Sequence, residues 1–244
     1  MPNIQKTRGI VLHTYPFKES SLFCSIFSEN FGKLNLLAKG VRRPKSKLCG
    51  TLEPFNHSEI IFYKREFKEA YTLSDAFIID DFKSIRSSPL KVAAGEAICE
   101  FIDKIQVIEE PNHQIYTLTL SFLQRLSSGD EDITGLWTMI MLFRLLKFAG
   151  IEPHLKDCVR CHKKVIGDPL LNFSISTGGL VCENHFDESV IKIDWQGIAP
   201  ILNVQKNPFP DNTDIKICRE LKHLFEVYIF YHLNGLTLNS LKFI

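Results

Sequence analysis

The sequence predicts an α+β protein: a small five-stranded antiparallel barrel, then an α-helical half carrying a zinc-finger-like insertion. Three observations lead there. Up to residue 80, apolar residues come in short runs separated by turn material. Beyond it they recur at steps of three and four, the period of an amphipathic helix. Within that second half, three Cys and one His stand at the spacing of a metal-binding knuckle.

The strands are Gly9–Thr14, Ser21–Ser28, Gly32–Lys39, Ser58–Tyr63 and Ala70–Ile79, with Pro16 and the Asn30/Gly32 pair supplying breaks. No segment among them is long enough for a βαβ crossover helix, which leaves an antiparallel barrel or sandwich; the barrel is preferred. From residue 81 the chain turns helical. Ser87-Ser88-Pro89 is a helix start, a hydroxyl N-cap followed by a Pro whose missing N–H costs nothing there. Leu90, Ala94, Ile98, Phe101 and Ile105 then share one face. Pro111 opens a second helix with Ile115, Leu118, Phe122 and Leu126 on one stripe, and Gly129 closes it. Asp132 is expected to cap a third helix, apolar nearly all round from Leu136 to Phe148 and therefore buried, which Gly150 ends. A last amphipathic helix carries Ile217, Leu221, Leu224, Tyr228 and Leu233. The expected organisation is a barrel domain at 1–80 and a helical domain at 81–244, with the metal module at about 154–188.

Composition narrows the function. With 244 residues, 45% hydrophobic and 23% charged, the chain has the make-up of an ordinary globular protein, excluding wholesale disorder or a fibre. The net charge of +1 conceals an asymmetry: residues 1–80 hold 12 Lys and Arg against 8 Asp and Glu, residues 81–244 hold 17 against 20. The N-terminus lacks the apolar core of a secretory signal, and Arg144 and Lys147 interrupt the most apolar stretch, so neither export nor a membrane span is expected. Seven Cys, three of them clustered, fit a reducing cytosol and one metal site better than a disulfide framework.

Cys158-Val-Arg-Cys161 and Cys182-Glu-Asn-His185 lie twenty residues apart. Each pair reaches one ion from a tight turn, and together they close a tetrahedral Zn²⁺ shell of three thiolates and one imidazole. A filled shell leaves no position for an activated water, so the expected site is structural. His162 and His154 are nearby competitors of His185 for the fourth position.

Lys33, Lys39, Arg42, Arg43, Lys45 and Lys47 form a basic run with no acidic residue from Phe31 to Leu52, and Pro44 and Ser46 make it a loop between strands. Positive charge on a loop beside a small barrel suits the tracking of a polyanion by phosphate neutralisation. Tyr15, Phe17 and Phe55 are candidate platforms for base stacking. The alternatives for the run are a solvated face or a surface for an acidic protein partner, as in an adaptor for which DNA binding is incidental. No P-loop, GxGxxG, HExxH, GxSxG or deaminase signature is present, and Asp130-Glu131-Asp132 is better explained by helix capping than by metal chemistry. A non-enzyme is expected.

Gly9-Ile-Val-Leu, Glu19-Ser-Ser, Gly32-Lys33, Ala38-Lys-Gly-Val-Arg-Arg43 with Ser46, and Leu52-Glu-Pro-Phe55 occur in an order that resembles the RecO family of bacterial recombination and repair proteins. So do Phe143-Arg-Leu-Leu146, Gly150, Pro153, Cys158 with Cys161, Phe173, Gly178-Gly-Leu180 with Cys182, and the closing Leu241-Lys-Phe-Ile244. The resemblance spans essentially the whole chain. It implies an N-terminal OB-fold, a helical domain and a zinc-binding insertion. It also implies a cytoplasmic, nucleoid-associated protein that binds single- and double-stranded DNA and anneals complementary strands. In the family, partnership with RecR helps RecA replace single-stranded-DNA-binding protein (SSB) on gapped DNA. Two positions depart from the family pattern: His185 stands where a fourth Cys is usual, and His162 where a Gly commonly follows Cys161.

Overall fold

β1 (Asn3–Phe17) is fifteen residues long around the apolar run Ile10-Val-Leu12, and its length lets its backbone pair along both edges. Its N-terminal part runs antiparallel to β4 (His57–Lys64) over Asn3–Ile10, and its C-terminal part to β2 (Ser21–Ser28) over Gly9–Phe17. A bulge between Val11 and His13 bends the strand between these two pairings. β3 (Gly32–Ala38) continues from β2, and β5 (Tyr71–Asp80) bridges β4 to β3 through a short parallel contact. The five strands thus close in the order β1-β2-β3-β5-β4, the barrel of an OB-fold. The computed structural model describes residues 3–65, 69–165, 169–202 and 215–244. Val11, Ile26, Leu34, Leu36, Ile60 and Phe62 fill the barrel.

α1 (Pro89–Ile105) and α2 (His113–Ser128) follow. Ser88 caps α1 as expected, its hydroxyl accepting the Lys91 N–H at 3.2 Å. At α2 the cap is Asn112, whose side chain accepts the Ile115 N–H at 3.1 Å, so the helix begins at His113, two residues after Pro111. α1 packs on β1, and the segment after it closes one end of the barrel: the Glu109 N–H donates to the Lys33 carbonyl at 2.9 Å, and Glu109 accepts from Lys64 and Tyr71. Burial first, then the hydrogen bond to Glu109, pushes the Tyr71 hydroxyl up to about 12.

The chain divides into two units, Met1–Ser128 and Gly129–Ile244, so α1 and α2 belong with the barrel. The change from strand to helix near residue 80 and the change of unit occupy different places in the chain. In the second unit α3 (Thr134–Leu145) is buried nearly all round, as its composition requires. Asp132 does not cap it. The chain enters α3 through a 3-10 turn at Glu131–Ile133, whose Glu131 carbonyl takes the Thr134 N–H, so no side chain is needed there. Gly150 ends the segment at φ 74°. α5 (Ile215–His232) buries Leu221, Leu224 and Tyr228 as its stripe requires; the Ile217 side chain is outside the described ones. A three-stranded sheet, β7 (Gly179–Val181), β6 (Leu170–Ser174) and β8 (Val190–Asp194), builds the module between, and α4 (Trp195–Leu202) follows it. α5 holds this module by Tyr228, which donates to the Ile151 carbonyl at 3.1 Å, and His232, which donates to the Ile175 carbonyl at 2.8 Å.

Two glycines with the same left-handed backbone separate conformational strain from lack of space. A Cβ on Gly32 (φ 65°) would lie 2.1 Å from the Glu110 carbonyl oxygen, whereas one on Gly50 (φ 77°) meets nothing within 4 Å. Gly50→Ala is expected to cost about 1 kcal/mol from backbone strain alone. Gly32→Ala should cost about 3 kcal/mol or more, since the barrel-closing segment must also move. Urea denaturation of the two variants checks this difference.

Candidate nucleic-acid interface and candidate metal centre

The segment between β3 and β4 is basic in sequence, yet its path is set by its apolar residues. Val41, Leu48 and Leu52 are buried in the barrel core, and the intervening residues turn over them in a series of short backbone hydrogen bonds: Arg43 to Gly40, Ser46 to Arg43, Cys49 to Ser46, Thr51 to Leu48. The C-terminal end is fixed by Asn56. Its buried amide donates to the Gly50 carbonyl at 2.9 Å and the Thr51 carbonyl at 3.3 Å, and its oxygen accepts from Arg86 at 2.7 Å. The loop is therefore a shaped surface.

Lys39, Arg42, Arg43, Lys45 and Lys47 are all exposed on it, and among the described residues none of them forms an ion pair. The Arg42 N–H donates to the Ser20 carbonyl at 3.0 Å, which ties the loop to the β1–β2 turn. That turn brings Phe17, 39% exposed, and Lys18, whose ammonium lies 5.5 Å from the Phe17 ring centre, to the same end of the barrel. Glu19, also exposed, is the acidic residue of this turn. Lys18 lies outside the basic run and has no linear signal; only the hydrogen bond from Arg42 reveals it.

Two sequence expectations are corrected here. Lys33, on the strand expected for it, is no free phosphate contact: its ammonium lies 3.2 Å from the Asp103 carboxylate and donates to the Asp103 carbonyl, so its charge is already matched. Phe55 is no platform. It is 3% exposed, at φ 75°, with its ring against Gly95 of α1. The positive φ turns into the protein a ring that an extended backbone would have sent elsewhere. Tyr15 remains 51% exposed and stacks on Phe23, the ring centres 5.0 Å apart.

The second unit holds a separate cluster. The Cys158–Cys161 knuckle folds back through the Cys158 N–H to the Lys163 carbonyl and the His162 N–H to the Cys158 carbonyl, at 2.9 and 2.8 Å. Cys182 follows β7, and a 3-10 turn at Glu183–His185 brings His185 back beside it. Cys161 Sγ lies 3.7 Å from Cys182 Sγ, and His185 Nδ1 lies 3.6 Å from Cys158 Sγ and 3.3 Å from Cys182 Sγ. All four ligand atoms are within 4.8 Å of one another. A tetrahedral ion with bonds of about 2.3 Å to sulfur and 2.0–2.1 Å to nitrogen requires edges of about 3.6–3.8 Å, so the four side chains already stand near the corners of a coordination shell. Burial alone would raise the Cys158 thiol, but the backbone N–H groups of Cys182, Cys161 and Arg160 stabilise the thiolate and bring it down to about 6. The donor set and spacing fit one borderline-soft divalent ion.

The competing histidines are elsewhere. His154 Nε2 is 2.8 Å and His162 Nδ1 3.2 Å from the same oxygen of Asp157. Hydrogen bonds from His154 first, then from His162, hold the Asp157 carboxyl below its usual range against the effect of desolvation. Asp157 carries no signal in the linear sequence beyond its place next to Cys158.

No helix among the described residues is long and apolar enough to cross a membrane. The family described as Recombination protein O N terminal matches residues 1–82, and Recombination protein O C terminal matches residues 86–242. Relatives named DNA repair protein RecO cover most of the chain. The chain is 29% identical to that of Caldicellulosiruptor saccharolyticus over 91% of this chain and 88% of the relative. It is 28% identical to that of Syntrophus aciditrophicus over 97% and 93%, and 30% identical to that of Dehalococcoides mccartyi over 93% and 88%. With the barrel, the helical unit and both halves of the sequence in agreement, the chain belongs to the RecO family of DNA repair proteins.

Proposed function

We propose that this chain acts in recombinational repair as a cytoplasmic, nucleoid-associated, non-enzymatic DNA-binding protein. It binds single- and double-stranded DNA, anneals complementary strands, and with RecR helps RecA displace SSB. The observation that carries the DNA-binding reading is the set of exposed cations Lys39, Arg42, Arg43, Lys45 and Lys47 on a loop that the Arg42–Ser20 hydrogen bond ties to the turn carrying Phe17 and Lys18. A strand held there by its phosphates keeps its bases free to pair, and neutralised phosphates repel an incoming complementary strand less. Phe17 and Tyr15 offer ring faces for sequence-tolerant stacking. On this reading residues 1–80 form the nucleic-acid-binding domain, and residues 81–244, with the metal module at about 154–188, form the second. Residues 166–168 of that module lie outside the described ones.

The reading extends to one structural Zn²⁺ held by Cys158, Cys161, Cys182 and His185. Bound there, the ion supplies a cross-link between the knuckle and the β7 end. Burial of Cys158 and Cys182 against Val181 and Val190 keeps this ligand face dry.

A labelled single-stranded oligonucleotide titrated across a salt series tests the interface. Neutralisation of about four phosphates gives a slope of log K against log salt near about −3, and the Arg42→Glu/Arg43→Glu variant should bind at least about tenfold more weakly with a flatter slope. Equal binding by both proteins would remove the loop from the DNA path; binding by neither would favour an adaptor role. For the metal, Cys158→Ser should lose the bound zinc and render the second unit protease-sensitive, whereas His154→Ala should keep both the zinc and the resistance. Metal content and limited proteolysis read the two outcomes.

A further inference from the structure

The flanks of the Cys158–Cys161 knuckle carry a second set of ligands that the first cluster does not use. Asp157 precedes the knuckle and His162 follows it; the backbone turn that brings the two thiols together also brings this carboxylate and imidazole together. His154 completes the set from a fixed backbone: its N–H donates to the Gly178 carbonyl at 2.9 Å and its carbonyl accepts from the Leu180 N–H at 2.9 Å, locking it to the start of β7. One oxygen of Asp157 lies 2.8 Å from His154 Nε2 and 3.2 Å from His162 Nδ1, and the three ligand atoms are within 4.8 Å of one another. Adjacent ligands of a six-coordinate ion with bonds of about 2.1 Å stand about 3.0 Å apart, against about 3.4 Å around a tetrahedral one. The observed separations straddle the first value. The set opens outward, with the His162 side chain 74% and the His154 side chain 37% exposed.

We propose that His154, Asp157 and His162 form a second metal site for a divalent transition ion of the nickel, cobalt or zinc class. Two imidazoles and a carboxylate hold the ion on one side, and water or a ligand from a binding partner fills the outward positions. Nitrogen and oxygen donors, with no thiolate, separate its preference from that of the Cys-rich cluster. The two sites share a rigid element, and the ion of the first holds Asp157 and His162 in register for the second.

The probe is Ni²⁺ added to the full-length chain already loaded with zinc, followed by isothermal titration calorimetry. One equivalent of nickel should bind without displacing zinc. His154→Ala and His162→Gly should each weaken that binding at least tenfold while retaining one zinc. Glycine is the replacement at His162 because the backbone there has φ 58°, which glycine adopts freely. No nickel uptake by the native chain, or equal uptake by native chain and variants, overturns the proposal and leaves the three residues as a hydrogen-bonded surface group. If His162→Gly also sheds zinc, His154→Ala, outside the knuckle, decides alone: undiminished nickel binding in that variant overturns the site.

Discussion

The barrel depends on β1 belonging to two pairings at once. Gly9 and Ile10 belong to both, Gly9 opposite Ser28 of β2 and Ser58 of β4, Ile10 opposite Phe27 and His57. A Cβ on Gly9 would stand 2.6 Å from the Ile26 methyl, so a side chain at that position would force the crossing to shift. The antiparallel run β1-β2-β3 has a direct consequence for function. It puts the β3–β4 connection and the β1–β2 turn at the same end, joined by the hydrogen bond from Arg42 to Ser20. Lys18 and Lys39, at opposite ends of the β2–β3 hairpin in sequence, come to that end through this strand pairing.

A basic loop faces a conflict between presenting charge and holding a shape. Like charges repel, and long side chains gain entropy when free. Here the conflict is divided between residue types. Val41, Leu48 and Leu52 take the burial, Asn56 and Arg86 satisfy the carbonyls at the exit, and the cations are left with no structural duty. Lys33 is the counter-example. It sits on a strand, and Asp103 of α1 consumes its charge in holding α1 to the barrel. Charge alone, summed along the sequence, does not distinguish these two roles; position on strand or loop does.

The legible parts of this fold were those governed by local chemistry. Turn residues marked the strands, Ser88-Pro89 marked α1, and the step of three and four marked the helices. β1 extends further toward the N-terminus than its apolar run because Asn3–Arg8 pairs with β4 through its backbone, which leaves no trace in hydropathy. β8 and α4 escaped notice for a related reason: β8 is a five-residue strand with one fully buried side chain, recognisable only once β6 is beside it. Phe55 shows the limit of composition, which does not encode whether an aromatic faces solvent or core: its ring is buried against Gly95 of α1. The metal cluster was legible in its three thiols, whose spacing is a geometric requirement. Its fourth member is legible as a preference: His185 stands at C-x2-H spacing from Cys182, with His154 and His162 as competitors, and the 3-10 turn after Cys182 and the carboxylate of Asp157 place the three apart.

The size of the metal module explains why ligands stand where a larger domain would place leucines. The sheet buries Leu171, Phe173, Leu180 and Ile193, whereas the knuckle and the turn after β7 bury only Cys158 and Cys182 among their own described residues. Its local cluster consists of Cys158, Val181 and Cys182, with Val159, Val165 and Val190 at the margin. Two of the three buried members belong to the Cys-His cluster. On the proposed Zn²⁺ reading, chelation adds to this small core, and its binding free energy becomes folding free energy for the segment. The other side of the module is welded by Phe173 against Tyr228, ring centres 5.7 Å apart, and by the hydrogen bonds of Tyr228 and His232. The two devices act on opposite edges. α5 holds Ile151 and Ile175, while the Cys-His cluster gathers the Cys158–Cys161 knuckle against Cys182 and His185. On the proposed Zn²⁺ reading, loss of the ion therefore releases the knuckle first, and with it the position of the side chains the knuckle presents.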